Sequence, residues 1–372
     1  MSVRVGIVIG IPVYLHYTLV IAFGLVAWTL AAGYMPSKYP GYAPQAYWLV
    51  GLASAAIIFL SVFVHELAHS YVAKKNGLSI SKIVLFIFGG VAQMGEEAPS
   101  PKVEFKVSLV GPATSFAIAG LLGLAYWVAK GIGVEAAYYA SLEYGALVNL
   151  LLGGFNMVPA FPLDGGRVFR AILWHRWKSL LRATQTASKV GVAFAYLFIF
   201  GGLAFLFTGF FVNGIWFMFI GLFLKNGAEA SLRQTMLTDA LSGIIAEDIM
   251  TRNVDTIAAD TSLTDVVENY FARYKHGGYP ILEGGRLVGV LTLQDVRKVQ
   301  REDWDHVRAR DVMTSITAVE TASPEDTAVD ALMKLSKRDV GRLPVIWHGK
   351  LIGIITRSDL THLIKVRTEL RG

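Results

Sequence analysis

The sequence predicts a polytopic α-helical membrane protein with about six spans, followed by an α/β tail that contains one module twice. Of the 372 residues, 54% are hydrophobic and only 17% are charged, which is too apolar for an ordinary soluble protein. Apolar runs of the length that a bilayer requires, roughly 20 residues, recur up to residue 232. The rest of the chain is polar and internally repeated.

Six apolar runs are predicted to be membrane spans. They cover residues 8–32, 47–72, 107–129, 138–157, 190–211 and 214–232. Between the second and third runs, residues 80–94 are rich in β-branched and aromatic side chains and include Gly89 and Gly90. This pattern indicates a strand or a re-entrant segment that another backbone can approach closely, and a simple hairpin turn fits it equally well.

The second span contains a His-Glu-x-x-His motif at residues 65–69. Residues i and i+4 share one face of a helix, so His65 and His69 can hold one metal ion while Glu66 stands beside it. Three such groups are costly inside a membrane, which indicates a functional site rather than a chance match. The chain has no Cys, so any metal ligands are His, Asp or Glu.

The fourth span ends where two prolines and a Gly pair break the helix, within residues 156–167. Asp164 lies at this break and supplies the third ligand of a His₂-carboxylate site for about one zinc ion per chain. Such a site keeps one position for water, whose pKa the metal lowers, and Glu66 is then the general base. Asn156 and Asn149 either contact substrate or form hydrogen bonds between helices.

The tail contains a repeat. The pattern Asp248-Ile-Met-Thr251 recurs as Asp311-Val-Met-Thr314, and the pattern Gly289-Val-Leu-Thr292-Leu-Gln-Asp295 recurs as Gly353-Ile-Ile-Thr356-Arg-Ser-Asp359. Each copy is predicted to contain a strand, an amphipathic helix (263–274 and 327–337), two short strands and a closing helix. Two similar α/β modules of about 60 residues are expected to pack on each other.

Charge indicates the orientation and excludes one class of partner. Lys and Arg cluster after the second and fourth spans, whereas the opposite side has only Lys38 and Lys130. By the positive-inside rule, both termini and the tail are cytoplasmic in a multi-pass protein of the cell membrane. The net charge of +6 comes from these loops beside the spans and not from a basic patch of the kind that binds nucleic acid. The lipid bilayer is therefore an expected partner, and nucleic acid is not. His16 and Glu143 receive no role.

These motifs resemble the site-2 protease family of intramembrane zinc metalloproteases. The residues that support the resemblance are His65-Glu66-Leu67-Ala68-His69, Gly89-Gly90, Gly111-Pro112 and Asn156…Pro162-Leu163-Asp164-Gly165-Gly166. The resemblance implies zinc on His65, His69 and Asp164, a catalytic Glu66 and an Asn156 near the substrate. It also implies regulated intramembrane proteolysis of single-span membrane proteins, with the Gly89-Gly90 strand pairing with an unwound substrate.

One motif departs from the family pattern. The family often has Asn after Gly-Pro, and this chain has Thr114 and Ser115 in that region. The resemblance therefore does not assign a substrate-binding role to this part of the third span.

The repeated tail resembles a pair of cystathionine-β-synthase-like (CBS) domains. CBS pairs commonly bind adenine nucleotides, with a Thr hydroxyl near phosphate and an Asp carboxylate on ribose; Thr292 with Asp295, and Thr356 with Asp359, fit this pattern. The alternative is that each Thr and Asp only cap the following helix. The resemblance also implies a homodimer through the CBS domains.

The sequence thus divides into a metalloprotease domain (1–235), a linker (236–246) and two CBS domains (247–301 and 310–366). A second function also fits a CBS pair, namely a CBS-gated ion transporter or channel with the His pair as its ion site. Glu66 between the two histidines, and Asp164 on a broken helix, favour the zinc endopeptidase.

Overall fold

A computed structural model describes residues 2–87, 89–94, 97–274, 276–337 and 341–371. Phe88, within the predicted strand or re-entrant segment at residues 80–94, lies outside these ranges. The chain forms two compact units, Met1–Thr235 and Met236–Gly372. The predicted fold class, a helical membrane unit followed by an α/β tail, is confirmed.

The first unit contains a four-stranded sheet. Its strands are β1 (Ser2–Val8), β2 (Ile11–His16), β3 (Ile80–Phe86) and β4 (Gly89–Met94), in the order β1-β2-β3-β4. The β2–β3 pair is parallel and the outer pairs are antiparallel. The inner strand β3 packs on the second helix of the unit: Ile83 and Leu85 belong to a buried cluster against which Val62 and Leu67 of that helix pack.

The predicted start of the first span is wrong, because residues 8–16 belong to this sheet and not to a helix. Val3, Val5 and Ile7 alternate along β1 as in a strand, and Ile9 and Gly10 both have positive φ, which suits a tight hairpin turn. His16 ends β2, and its Nδ1 lies 2.8 Å from Thr18 Oγ1. It is therefore a residue of the strand-to-helix junction.

The described part of the chain up to Leu241 contains seven helices, if the contiguous turns of the first are counted together. They are α1 (Thr18–Lys38), α2 (Pro44–Lys75), α3 (Pro101–Gly131), α4 (Ala136–Asn156), α5 (Asp164–Trp177), α6 (Leu180–Phe207) and α7 (Phe211–Leu241). Five of them, α1, α2, α3, α6 and α7, are long and apolar enough to cross a membrane. The predicted fourth span is the 21-residue helix α4, which is not among those five.

Local sequence explains where the helices of the site begin. Pro101 occupies the first turn of α3, and the Ser100 hydroxyl caps that helix by accepting from Val103 N.

Within the bundle, Asn149 is fully buried and donates to Ser61 Oγ at 2.9 Å, so it joins α4 to α2. This is the interhelical alternative for Asn149.

Glu143 has a comparable structural role on α4. It accepts a hydrogen bond from the Tyr39 hydroxyl and pairs with Lys38 Nζ at 3.0 Å. It therefore holds the end of α1 and the following loop against α4.

The second unit contains the predicted repeat. Its strands are β5 (Ile257–Ala258), β6 (Gly278–Glu283), β7 (Arg286–Thr292), β8 (Thr314–Ser315), β9 (Arg342–Trp347) and β10 (Lys350–Thr356). Its α-helices are α8 (Ala246–Ile249), α9 (Leu263–Val266), α10 (Leu293–Val296), α11 (Ala309–Val312), α12 (Ala328–Lys337) and α13 (Arg357–Arg371), and α9 continues as a π-helix, Val267–Phe271. Strands β5–β8 form one sheet, and β9 with β10 form a second.

The stretch predicted to be a linker, 236–246, is helical as far as Leu241. Leu241, Ile244 and Ala246 are buried in the hydrophobic core that also contains Val345 of β9 and Ile355 of β10. The end of α7 is therefore part of the core of the second CBS module.

Candidate metal centre

Three side chains from two helices converge in the first unit. His65 and His69 lie one turn apart on α2, and Asp164 is the first residue of α5. The Nε2 atoms of the two histidines are 3.1 Å apart, and each lies 3.1 Å from Asp164 Oδ2. Both histidines are buried, and the Asp164 side chain is 15% exposed.

The other ring nitrogen of each histidine is held by α3. His65 Nδ1 lies 2.9 Å from Ser115 Oγ, and His69 Nδ1 lies 2.5 Å from the Val107 carbonyl oxygen. A carbonyl oxygen can only accept, so Nδ1 of His69 carries a proton, and in the neutral imidazole its Nε2 presents a lone pair. The two contacts orient both Nε2 atoms towards Asp164.

Glycines bring the three elements together. A Cβ on Gly111 of α3 would lie 2.1 Å from His69 Nε2 and 2.7 Å from His65 Nε2, so only glycine fits beside the histidine pair. A Cβ on Gly165 would lie 2.4 Å from the Met157 carbonyl, and one on Gly166 would lie 2.6 Å from Phe161 N. The first turn of α5 can therefore pack against the irregular segment before it, which positions Asp164.

The residues present fit a zinc ion. A tetrahedral zinc with ligand distances of about 2.0 to 2.1 Å requires ligand atoms about 3.3 Å apart. The triangle formed by the two Nε2 atoms and Asp164 Oδ2 has this size. A lone pair and a carboxylate oxygen that converge at 3.1 Å in a buried site are expected to repel each other unless a cation or a proton lies between them.

Glu66 lies beside this triangle, against strand β4. A Cβ on Gly90 would lie 2.4 Å from Glu66 Cγ, so only glycine lets the β4 backbone pass this close to the Glu66 side chain. Gly90, part of the segment singled out in the sequence, thus lets the edge strand of the sheet reach Glu66.

The structure places Asn156 at the C-terminal end of α4. Its Nδ2 donates to the Leu152 carbonyl oxygen of the same helix at 3.0 Å. In the described part of the chain, no hydrogen bond joins Asn156 to His65, His69 or Asp164. The expected substrate contact of Asn156 therefore stays a prediction.

Sequence reasoning missed the residues that orient the histidines. Val107 acts through its backbone, so its side chain gives no signal. Ser115 stands near the position where the family pattern led us to look for a substrate contact, and the structure gives it a bond to His65 instead. Its position eleven residues after Glu104, on the buried face of α3, is the signal that was available.

A cleft in the second unit lies between the two CBS modules. It has a volume of about 380 Å³, which is adequate for a small molecule. Its polar lining includes carboxylates, hydroxyls and three side chains that can carry positive charge: Thr251, Asp255, His276, Arg342, Thr356, Arg357 and Asp359.

The two predicted Thr–Asp pairs differ in this cleft, since Thr356 and Asp359 line it and Thr292 and Asp295 do not. Asp295 Oδ2 accepts from the Thr292 hydroxyl at 2.6 Å, and its Oδ1 accepts from Lys298 Nζ at 2.7 Å. Burial alone would raise the pKa of Asp295, but the bonds from Lys298 and Thr292 outweigh burial and hold the pKa below its ordinary value. Both oxygens of Asp295 thus have partners within its own module.

Both Thr–Asp pairs also cap the helix that follows, which was the alternative to nucleotide binding. Thr292 and Asp295 form a reciprocal capping box at the start of α10. Thr356 and Asp359 form the same arrangement, with Thr356 N donating to Asp359 Oδ2 at 2.8 Å. Capping and lining of the cleft therefore coexist in the second pair.

Comparison with known proteins places both units in families. The profile of peptidase family M50 matches residues 53–138 and 127–198, and the CBS domain profile matches residues 246–302 and 309–366. The first match contains the His pair and the second contains Asp164, although the two matches leave the N-terminal strands and α7 uncovered.

Two relatives match this chain over nearly its whole length. The chain is 31% identical to Rip3 of Mycobacterium tuberculosis over 367 residues, which covers 98% of this chain and 93% of the relative. It is 32% identical to zinc metalloprotease MJ0392 of Methanocaldococcus jannaschii over 374 residues, which covers 100% of this chain and 99% of the relative. A solved site-2 protease from Methanocaldococcus jannaschii matches 63% of this chain and 96% of its own length, with 32% identity and a TM-score of 0.43. The chain therefore belongs to peptidase family M50, the site-2 protease family of zinc metalloproteases, and its C-terminal unit is a tandem pair of CBS domains.

Proposed function

We propose that this zinc metalloprotease cleaves transmembrane segments of single-span membrane proteins, in regulated intramembrane proteolysis, and that an adenine nucleotide in the CBS pair tunes the rate. The observation that supports the proposal is the 3.1 Å triangle of His65, His69 and Asp164 with Glu66 beside it. The two histidines and Glu66 lie on a 32-residue apolar helix. A hydrolytic site on such a helix suits a substrate that is itself in the bilayer.

His65, His69 and Asp164 are the residues that would hold zinc. When bound, zinc supplies Lewis acidity that polarises a peptide carbonyl and lowers the pKa of water. Glu66 accepts the proton of the attacking water and returns it to the leaving amine. Asn156 has a second N–H beyond the one that it gives to Leu152, and we assign this donor to the substrate backbone.

Strand β4 is the element that we assign to substrate binding. It is the last strand of the sheet, so one edge of β4 has no partner strand among the described residues. A helical substrate keeps its carbonyls in internal hydrogen bonds, so it must unwind before attack. An unwound segment that adds to β4 gains main-chain hydrogen bonds and passes Glu66, against which Gly90 packs.

The distribution of basic residues supports an orientation in the membrane. The protein is a multi-pass membrane protein, and its basic residues cluster in the segments after α2 and α4. We therefore place these segments, both termini and the CBS pair on the cytoplasmic side of the cell membrane. Pairing of two copies through their CBS domains stays a prediction.

The cleft between the CBS modules is our site for the adenine nucleotide. Asp359 can accept from ribose hydroxyls, and the Thr356 hydroxyl can reach a phosphate. Arg342 adds a guanidinium, which binds phosphate oxygens in a planar fork. Because Asp295 is bound to Lys298, we expect one nucleotide per chain, with Asp359 as the ribose acceptor.

The test uses purified full-length protein loaded with zinc and incubated with a panel of single-span membrane proteins. Cleavage by the wild type and none by Glu66→Gln would support the proposal. Equal cleavage by both proteins would remove Glu66 from the mechanism, and unchanged zinc content in His65→Ala, His69→Ala and Asp164→Ala would remove the metal site. No cleavage within any transmembrane segment would refute the assigned substrate class.

A further inference from the structure

A buried ion pair between α3 and α5 has no part in the chemistry proposed above. Glu104 of α3 is 1% exposed and Arg170 of α5 is 5% exposed. Arg170 Nε donates to Glu104 Oε1 at 2.7 Å, and Arg170 Nη2 also contacts this oxygen. Two opposite charges at such depth are expensive to bury, so the pair is an unusual feature of a membrane helix bundle.

The pair joins several elements to α5. Arg170 Nη1 lies 3.5 Å from Thr184 Oγ1 on α6, and the guanidinium lies 5.2 Å from the centre of the Phe161 ring. Arg167 Nε lies 3.9 Å from the same oxygen of Glu104. Arg170 thus connects α5 with α3, α6 and the segment that leads into Asp164.

The position of this pair along the helices relates it to the metal centre. On α3, Glu104 precedes Gly111 by seven residues, or roughly 10 Å. On α5, Arg170 follows Asp164 by six residues, or roughly 9 Å. Gly111 contacts the histidines and Asp164 points at them, so α3 and α5 run antiparallel and meet at two places with matched spacing.

We infer that Glu104 and Arg170 are positioning residues, which fix the register of α5 on α3 so that the Asp164 carboxylate reaches His65 and His69. A slide of α5 by one residue moves Asp164 by about 1.5 Å, whereas a metal site tolerates about 0.2 Å. The same slide would leave a buried charge unpaired, which makes the correct register strongly preferred. The inference rests on the proposed zinc site.

The experiment measures metal binding rather than proteolysis. Zinc affinity is determined by competition with a chelator for the wild type, Glu104→Gln, Arg170→Gln, Arg170→Lys and the double variant Glu104→Gln/Arg170→Gln, all as full-length protein in detergent. The visible spectrum of the cobalt(II)-substituted proteins reports the ligand geometry. Thermal unfolding of the metal-free proteins shows whether each variant is folded.

We expect Glu104→Gln and Arg170→Gln each to lower zinc affinity by about 10- to 100-fold and to change the cobalt spectrum. The double variant should lose no more than the worse single variant, because both residues act through one contact. Arg170→Lys keeps the charge but not the planar fork, so it should fold and lose less affinity. The control is Glu143→Gln, which breaks the partly exposed pair between Glu143 of α4 and Lys38 of α1 and should change neither readout.

Wild-type zinc affinity and an unchanged cobalt spectrum in Arg170→Lys and in the folded glutamine variants would overturn the inference. Equal losses in Glu143→Gln would also overturn it, since the effect would then follow from the loss of any ion pair between helices of the first unit. A wild-type protein that binds no zinc at the His pair would refute the proposed function together with this inference. Zinc binding in the wild type with unaffected variants would refute the inference alone.

Discussion

Gly111→Ala is a stringent test of the metal centre, because it changes no ligand. The new Cβ would lie 2.1 Å from His69 Nε2, and real Cβ contacts below 3.0 Å essentially never occur, so the His69 ring must move by about 0.9 Å. His65 Nε2, at 2.7 Å from the same Cβ, must move by about 0.3 Å. Both displacements exceed the roughly 0.2 Å that a metal site tolerates.

The expected result is a large loss of zinc affinity in a folded protein. Changes to groups that only orient ligands cost about 10- to 100-fold in affinity. Moving two ligands should cost at least about 100-fold, or about 2.7 kcal/mol. Alanine is a better helix former than glycine by about 1 kcal/mol, so the substitution does not weaken α3 as a helix.

The assay is competition between the metal-free protein and a zinc chelator of known affinity, with proteolysis as a second readout. Gly120→Ala is the matched control, because it lies on the same helix and a Cβ there meets nothing within 4 Å. The control should bind zinc as the wild type does. A Gly111→Ala protein with zinc affinity within about 3-fold of the wild type would refute the geometry described here.

Four further predictions concern catalysis, substrate, ligand binding and stability. Glu66→Gln should keep about one zinc per chain and lose cleavage by about 10²- to 10⁴-fold, measured as metal content and rate on one sample. Gly or Pro near the scissile bond of a substrate should speed cleavage relative to Leu or Ala, and equal rates across the series would argue against addition to β4. Asp359→Ala should weaken adenine-nucleotide binding by about 10-fold or more in calorimetry on the full-length protein. Asp295→Ala should leave nucleotide affinity unchanged and lower the free energy of unfolding by about 1 kcal/mol, because the helix loses a cap. The folded pKa of Asp295 is below its ordinary value, so its contribution to stability is present at neutral pH and is lost as acid protonates the carboxylate.

The chemistry of the site was accessible from sequence because its residues are rare in their setting. Two histidines four residues apart in an apolar run, and an Asp among prolines and glycines, stand out against a bundle of Leu, Ala and Phe. Their spatial proximity follows from helix periodicity and from the break before Asp164. Membership of a protease family also decides against the alternative of a CBS-gated transporter or channel.

The supporting residues could not be predicted, because their effects depend on distant contacts. Val107 uses a backbone carbonyl, and Gly111 matters only because α3 passes within contact of His69. The N-terminal hairpin was misread because residues 8–16 are apolar enough to continue a span, and the alternation that marks β1 lies upstream of them. The first Thr–Asp pair matched its motif as well as the second, and Lys298, outside the motif, distinguishes the two.

The core of the second CBS module connects the ligand cleft with the end of α7. Thr356 ends β10 at the cleft, and its neighbour Ile355 is buried in the same cluster as Leu241, the last residue of α7. A ligand that moves β10 therefore changes the packing around the end of a helix that begins, at Phe211, as a membrane span. The size of any effect is limited by the difference in the ligand's affinity for the two states of this core. By linkage, a nucleotide that strengthens substrate binding must itself bind more tightly, by the same factor, when substrate is present.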